Sequence, residues 1–384
     1  YVITHGKDVN GAKAFTFGGV LTDGTININV PYSVKNITTL QKAYGGEDIE
    51  SISKIKYQAP KFFSSQNRAV TSSDYEVIVR NVYPAISDII VFGGEEQEPP
   101  AYGKVFLSVK PTEAASLSAF TKNALTISLK EYTVASIRPE FVDPSILYIE
   151  LNTDVYYNSN IFSDTEGLKS PVTSALTSYG KSTNLNAFGG RFKYSESQKT
   201  IDSTNSAITS NITRLTIRRD LKPIFNAFTQ YELCFGNAFH VNPKGKNIKS
   251  TGFNISGNVN TLYFTDLPHE DLKTGDIAVI QLTELSGEEA PVVIPSAGTV
   301  DYVKGEIIIN TVHIMSTVQP NNVIEIQAIP ESNDVIGLTD LYLDFAVSKS
   351  TINMIKDTIT SGEQISGIGY KSTSSYLNGE LKRI

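Results

Sequence analysis

From Tyr231 onward the sequence is cut into short runs in which apolar and polar residues alternate. These are Tyr231 to Phe235, Thr261 to Thr265, Ile277 to Leu282, Gly305 to Ile309 and Val323 to Ile329, with Gly- and Asn-rich turns between them. Alternation with a period of two puts the apolar side chains of a strand on one face. Runs this short, separated by turn residues, restrict the region to an all-β fold of short strands. Val300 to Val303, Lys304-Gly305 and Glu306 to Ile309 read as a hairpin with glycine in the turn. A last strand, Leu341 to Val347, and a short helix near 350–358 precede a Gly/Ser-rich tail from Ser361 to Leu377.

Upstream of Pro223 the pattern is mixed. Ile26, Ile28 and Val30 alternate with asparagines after the Asp23-Gly24 turn, and Pro31 closes that strand. Ile49, Ile52 and Ile55 recur at spacing three, with Glu47-Asp48 before them and Lys54 and Lys56 after them. That order suits a helix dipole, and Ala59-Pro60 is the expected stop. Thr71 stands three residues before Asp74, an acidic variant of the capping box. Tyr75, Ile78, Val79 and Val82 then follow one helical face up to Pro84. Ile86 to Phe92 and Lys104 to Val109 read as strands, and Leu117, Phe120, Ala124 and Ile127 as a further helix. Leu147 to Leu151 reads as a strand, 166–205 as broken helix around Phe188-Gly189-Gly190, and 214–218 as a strand with one basic face.

The fold class expected is therefore α+β: a mixed α/β N-terminal half followed by an all-β C-terminal region, elongated and multidomain. Its segments are 1–45 (β-rich, continuing from a missing N-terminal part), 46–223 (α+β), 224–347 (mostly β) and 348–384 (short helix and tail). The opening Tyr1-Val2-Ile3-Thr4, without Met, leads us to expect a fragment.

Composition narrows the function. Charged residues are 19% of the chain, below the roughly 25% of an average domain, and Ser, Thr and Asn carry much of the polarity. The net charge of −7 repels phosphate backbones, so no nucleic-acid partner is expected. No apolar run nears the roughly 20 residues of a membrane-spanning helix, and no membrane partner is expected. With Cys234 the only cysteine, an internal disulfide is impossible and a thiolate zinc cluster has no ligands. A reducing cytoplasm suits such a chain.

Catalytic patterns are scarce. His5, His240, His269 and His313 are isolated in sequence, and there is no H-E-x-x-H, G-x-S-x-G, Walker sequence or G-x-G-x-x-G. His269-Glu270-Asp271 with Asp276 offers cation ligands on paper, but a polar turn after Pro268 accounts for them better. Glu95, Glu96 and Glu98 offer the paired carboxylates of glycoside chemistry, against a simpler reading as a solvated acidic loop tip. Ser51-Ile52-Ser53-Lys54 matches S-x-x-K without its companion motifs. Asn36, Asn211 and Asn254 head acceptor tripeptides for glycosylation that chance explains in an Asn/Ser/Thr-rich chain. Arg214, Arg218, Arg219 and Lys222 form the one basic cluster, and Cys234 between Leu233 and Phe235 reads as a small core residue. No catalytic residue, metal site, cofactor or small-molecule substrate is expected.

One block is distinctive. It runs Tyr57-Gln-Ala-Pro60-Lys-Phe-Phe-Ser-Ser-Gln66-Asn67-Arg68-Ala69-Val70-Thr71-Ser-Ser-Asp74-Tyr75 and continues through Tyr83-Pro84, Gly93-Gly94-Glu95-Glu96, Pro99-Pro100 and Tyr102-Gly103-Lys104-Val105. It resembles the baseplate wedge proteins of T-even-type contractile-tailed bacteriophages. Its shorter core, Arg-Ala-Val-Thr-x-x-Asp-Tyr between helices, resembles the wider baseplate J-like family. The resemblance implies a structural, non-enzymatic virion protein of the tail baseplate, assembled in the host cytoplasm. It implies pairing within each wedge as a homodimer, a six-fold inner ring around the tail hub, and contacts with other wedge proteins. Arg68, Thr71, Asp74, Tyr75, Gly93 and Gly94 are its structural-motif residues. Arg68 is expected either to pair with an acidic residue or to be solvated. One interface is expected in the β-rich half with the tail, and another near 57–130. The alternative is a carbohydrate-binding or glycan-hydrolysing tail spike or fibre protein, which the strands and 19 tyrosines favour and the absence of tryptophan disfavours. A component of a related contractile injection system is a third reading.

Overall fold

The computed structural model describes residues 6–9, 11–14 and 49–362, apart from 51, 98, 113, 182–184 and 283–290. The strand expected at Ile26 to Val30, the Glu47-Asp48 pair, Glu98 and the tail beyond Gly362 lie outside the described residues. The chain forms two compact units that part between Pro144 and Ser145.

The first unit contains helices α1 (Ile52–Ser65), α2 (Ser72–Val82) and α3 (Ala119–Leu129), with strands β1 (Ile86–Gly93), β2 (Lys104–Pro111) and β3 (Arg138–Val142). The strands form one sheet in the order β1-β2-β3. β1 and β2 are antiparallel, whereas β2 and β3 are parallel. A parallel pair needs a long crossover, and α3 supplies it. The core joins Tyr75, Ile78 and Val79 of α2 to Ile89 and Val91 of β1, Leu107 and Val109 of β2, and Leu125 and Leu129 of α3. Two expectations fail here. α1 does not stop at Pro60 but carries it inside and runs on to Ser65. Lys54 and Lys56 therefore do not lie in its last turn, which holds no basic residue. On α3 the buried residues are Thr121, Leu125 and Leu129, while Phe120 and Ile127 are 61% and 57% exposed. The helix has two apolar stripes, and the one with both leucines turns inward. Thr121 tolerates that position because its hydroxyl bonds the N-cap Ser118 hydroxyl at 2.8 Å.

The second unit begins with β4 (Ser145–Tyr157), α4 (Thr165–Gly180), β5 (Arg191–Phe192), α5 (Tyr194–Asp202) and β6 (Ile208–Leu221). It continues through β7 (Phe228–Cys234), β8 (Lys249–Ser250), β9 (Phe253–Ile255), β10 (Leu262–Pro268), β11 (Thr274–Gln281), β12 (Val292–Asp301) and β13 (Glu306–Thr317). It ends with β14 (Ile324–Ala328), β15 (Val335–Ile336), β16 (Leu341–Phe345) and β17 (Thr351–Lys356). One sheet has the order β16-β4-β6-β14-β8, with β17 also on β4. The other runs β12-β11-β10-β9-β13-β7, and pairing of β12 with β13 closes its first five strands into a barrel. The α+β class with a β-rich C-terminal region is what the sequence led us to expect.

Residue 223 is not a break between compact units. β6 ends at Leu221, and Leu221 pairs with Ile324 of β14. The barrel strands are thus an insertion between two neighbours in the first sheet. One buried cluster includes Leu147, Ile149 and Ile217 of that sheet together with Phe253, Phe264 and Ile309 of the barrel. The helix expected near 350–358 is strand β17, parallel to Asn152–Tyr157 of β4. Its Ile352 is buried between exposed Thr351 and Asn353, so pairing with β4 overrides any local helical preference.

Candidate interaction site around the α1–α2 corner

The corner between α1 and α2 is built from consecutive local choices. α1 ends at Ser65, and Gln66 and Asn67 both take left-handed backbone, with φ of 48° and 57°. Asparagine tolerates that region and glutamine less so. The chain then reverses, and the Ala69 N–H donates to Tyr132 O at 2.8 Å beneath a fully buried Ala69. Thr71 in extended conformation caps α2. The Asp74 N–H donates to Thr71 Oγ1 at 3.3 Å, and the Thr71 N–H donates back to Asp74 Oδ2 at 2.9 Å. The capping box is therefore complete, and Val70 N–H adds a third donor to the same carboxylate at 3.3 Å. Desolvation pushes the Asp74 carboxyl up, but these hydrogen bonds outweigh it and hold the group below its ordinary value.

Among the described residues Arg68 meets no acid. It is exposed, and its Nη2 donates to Gln66 Oε1 at 3.3 Å. The ion pair of α2 lies at its other end, where Arg80 Nη2 of the last turn stands 2.7 Å from Asp88 Oδ1 of β1. Tyr75 is fully buried, as an anchor of the α2 face should be, yet its hydroxyl has no hydrogen-bond partner. Gly94 opens a short 3-10 turn (Gly94–Glu96). A Cβ there would stand 1.9 Å from Ala101 O, because the Ala101 N–H donates to Gly94 O at 2.8 Å and closes the loop. Gly93 has room save for the flexible Glu95 side chain. Glu96 Oε1 accepts the Gly93 N–H at 3.4 Å. Glu95 and Glu96 are thus exposed turn residues.

The corner is also rich in exposed apolar surface. Ile52, Tyr57, Phe63 and Val70 are 73%, 63%, 82% and 59% exposed. The spacing of Ile49, Ile52 and Ile55 marks a helix but does not say which way its apolar residues face. The signal was present in the flanking residues, because Gln58, Lys61 and Ser65 also recur at helical spacing.

Elsewhere the candidate groups resolve into structure. The basic cluster of β6 is divided, not presented as one surface. Arg218 is 3% exposed. Its Nε donates to Glu150 Oε1 at 2.6 Å and its Nη1 lies 3.2 Å from Glu325 Oε1 and in contact with Asp220. Gln327 Nε2 donates to Glu150 Oε2 at 2.6 Å, and the guanidinium lies 4.0 Å over the Tyr148 ring. Burial, and secondarily the Asp220 charge, push the Tyr148 phenol up to about 12. Arg219 follows on the adjacent position with a buried Nη1 that has no hydrogen-bond partner, and desolvation lowers its pKa. His269 contacts Thr274 Oγ1 at 3.1 Å and Asp276 Oδ2 at 3.2 Å, and Asp271 Oδ1 accepts the Lys273 N–H at 3.0 Å. These residues form the β10–β11 turn. Among the described residues no group of three or more His, Cys, Asp or Glu is placed to hold a metal ion, and no helix is long and apolar enough to cross a membrane. Cys234 is half-buried, and desolvation raises its thiol pKa.

Residues 71–142 match the family described as baseplate structural protein gp6, C-terminal domain I, and residues 145–220 match gp6 C-terminal domain III. A curated relative, baseplate wedge protein gp6 of Enterobacteria phage T4, is 24% identical over 226 residues, which is 59% of this chain and 34% of the relative. The chain therefore spans about a third of that relative's length. The solved structure of the anti-feeding prophage baseplate aligns over 44% of this chain and 38% of that chain, at 18% identity and a TM-score of 0.33. Over residues 71–142 and 145–220 the chain is similar to the gp6-type baseplate wedge proteins of contractile-tailed phages.

Proposed function

We propose that this chain is a structural component of a bacteriophage tail baseplate wedge, self-associating as a homodimer and joining other wedge proteins in a six-fold ring around the tail hub. One observation supports the reading above others. The two family matches fall on folded elements: the first starts at the N-cap Thr71 and ends with β3, and the second runs from the start of β4 almost to the end of β6. The chain's place is then the virion baseplate, with assembly in the host cytoplasm. The role is non-enzymatic and calls for no cofactor, nucleic acid, membrane or small-molecule substrate. Arg68, Thr71, Asp74, Tyr75, Gly93 and Gly94 serve it as architecture, fixing the corner between two helices and the loop beyond β1.

Co-expression of the full chain with the other wedge proteins of its phage tests this. Co-purification in one particle, together with a light-scattering mass above 41.9 kDa for the chain alone, is the expected result. A chain that remains a monomer and stays out of the wedge overturns it.

A further inference from the structure

The loop from β1 to β2, residues 94–103, is tied at its foot and bare at its tip. Gly94 O accepts two backbone hydrogen bonds, from the Gln97 N–H at 3.3 Å and the Ala101 N–H at 2.8 Å. On the other limb Gly103 takes a φ of 75°, and its O accepts the Arg138 N–H of β3 at 2.9 Å. The segment presented is Pro99-Pro100-Ala101-Tyr102. Each proline lacks an N–H and fixes its own φ at about −65°, and Pro100 keeps Pro99 out of helical backbone. Gln97, just upstream, has φ −84° and ψ 150°, the polyproline II region. Pro99 and Pro100 are exposed, and Tyr102 is 81% exposed, its hydroxyl bonded to none of the described residues. Tyr57 is the only other described tyrosine left so open. Segment 94–103 contains three glutamates and no basic residue. Glu95 and Glu96 are exposed, and Lys104, the next base along the chain, is held by Glu140 of β3 at 2.8 Å.

We propose that this loop is a preformed proline-and-tyrosine ligand, read by a different protein through a groove paved with aromatic rings and rimmed with lysine or arginine. Proline rings lie flat on aromatic faces, and a segment already extended loses little entropy when it docks. Polyproline II has three residues per turn, so Pro99 and Tyr102 fall on one side of such a segment and can enter one groove together. The glutamates choose the rim by charge. In a contact between two copies of the loop those same glutamates would oppose each other, and they repel nucleic acid. Recognition of this kind needs nothing from the baseplate reading: it belongs to the loop, whatever assembly holds the chain.

The probe is an isotope-labelled WW domain with arginine at the edge of its tyrosine–tryptophan groove. It is titrated by NMR with the full chain and, separately, with a free peptide of residues 94–104. The groove resonances should shift with the full chain, at an affinity no weaker than that of the peptide. Tyr102→Ala and Pro100→Ala should each weaken binding about tenfold or more. Glu95→Lys combined with Glu96→Lys should weaken it severalfold and remove its dependence on salt. Thermal melts check that these loop changes leave the fold intact, and the exposed Tyr102 gives a variant that disturbs no contact of the foot. Binding by the peptide but not by the full chain overturns the inference, because the fold then withholds the motif. Binding that survives Tyr102→Ala also overturns it, and so does the absence of binding by both chain and peptide.

Discussion

Thr71 and Asp74 close on each other's backbone, each side chain accepting from the other's N–H. Removing either with Ala should cost about 1 kcal/mol, read as a lower denaturation midpoint at unchanged slope. The sign of the pH effect follows from the lowered Asp74 pKa. Its contribution is complete above the unfolded value near 4 and is lost as pH falls through the folded value, so Asp74→Asn should flatten the acid limb of the stability curve. Tyr75 gives the opposite expectation. Its buried hydroxyl has no partner, so Tyr75→Phe should leave stability unchanged or raise it by up to about 1 kcal/mol. A clear loss in the melting temperature would mean that the hydroxyl is satisfied in solution. Arg218 is the costly residue. Arg218→Met takes away the buried cation that Glu150 and Glu325 share, each of them 3% exposed or less, and should destabilise by about 3–5 kcal/mol. Replacing all three with apolar residues of similar volume should recover most of that loss, which chemical denaturation of the single and triple variants would measure.

At the scale of elements, what could be read from sequence was what local chemistry decides. The α2 cap, its Tyr75–Ile78–Val79 face and its end before Pro84 depend on residues within a turn or two of each other, and all are present. Pro60 misled because a proline costs one backbone hydrogen bond but does not oblige the chain to turn, and α1 continues through it. Thr351 to Lys356 misled because its partner, β4, lies two hundred residues upstream. The α1 and α3 segments show a shared limit: apolar spacing says that a helix has a face, not which neighbour receives it. The loop after β1 offers an element-scale test. Gly94→Ala drives a methyl into Ala101 O, so it should destabilise this unit by about 1–3 kcal/mol through a shifted loop, while Gly93→Ala should be milder. Urea titrations of the two variants compare them directly.

For the molecule as a whole, the second unit is expected to unfold as one body despite its two large sheets and the small β5–β15 pair. Phe264 of the barrel and Ile217 of the first sheet share a core. Phe264→Ala should therefore lower the transition of that entire unit by about 3–5 kcal/mol, without a separate early transition for the barrel, as calorimetry would show. This unity was hidden in the sequence because the change of texture after Pro223 is real in composition but is bridged by long-range pairing. β6 and β14 are neighbours whose paired residues Leu221 and Ile324 are about a hundred positions apart.

That arrangement has a price in time during synthesis. When β6 leaves the ribosome, the strand that will cover its far side has not been made. At typical elongation rates the exposed edge waits roughly 5–20 s for β14. The β4 edge waits longer still for β16 and β17, which are translated last. A nascent chain with two open edges is a template for wrong partners. Production of this protein is therefore expected to depend on chaperones or slow translation, and to yield aggregates when synthesis outruns them.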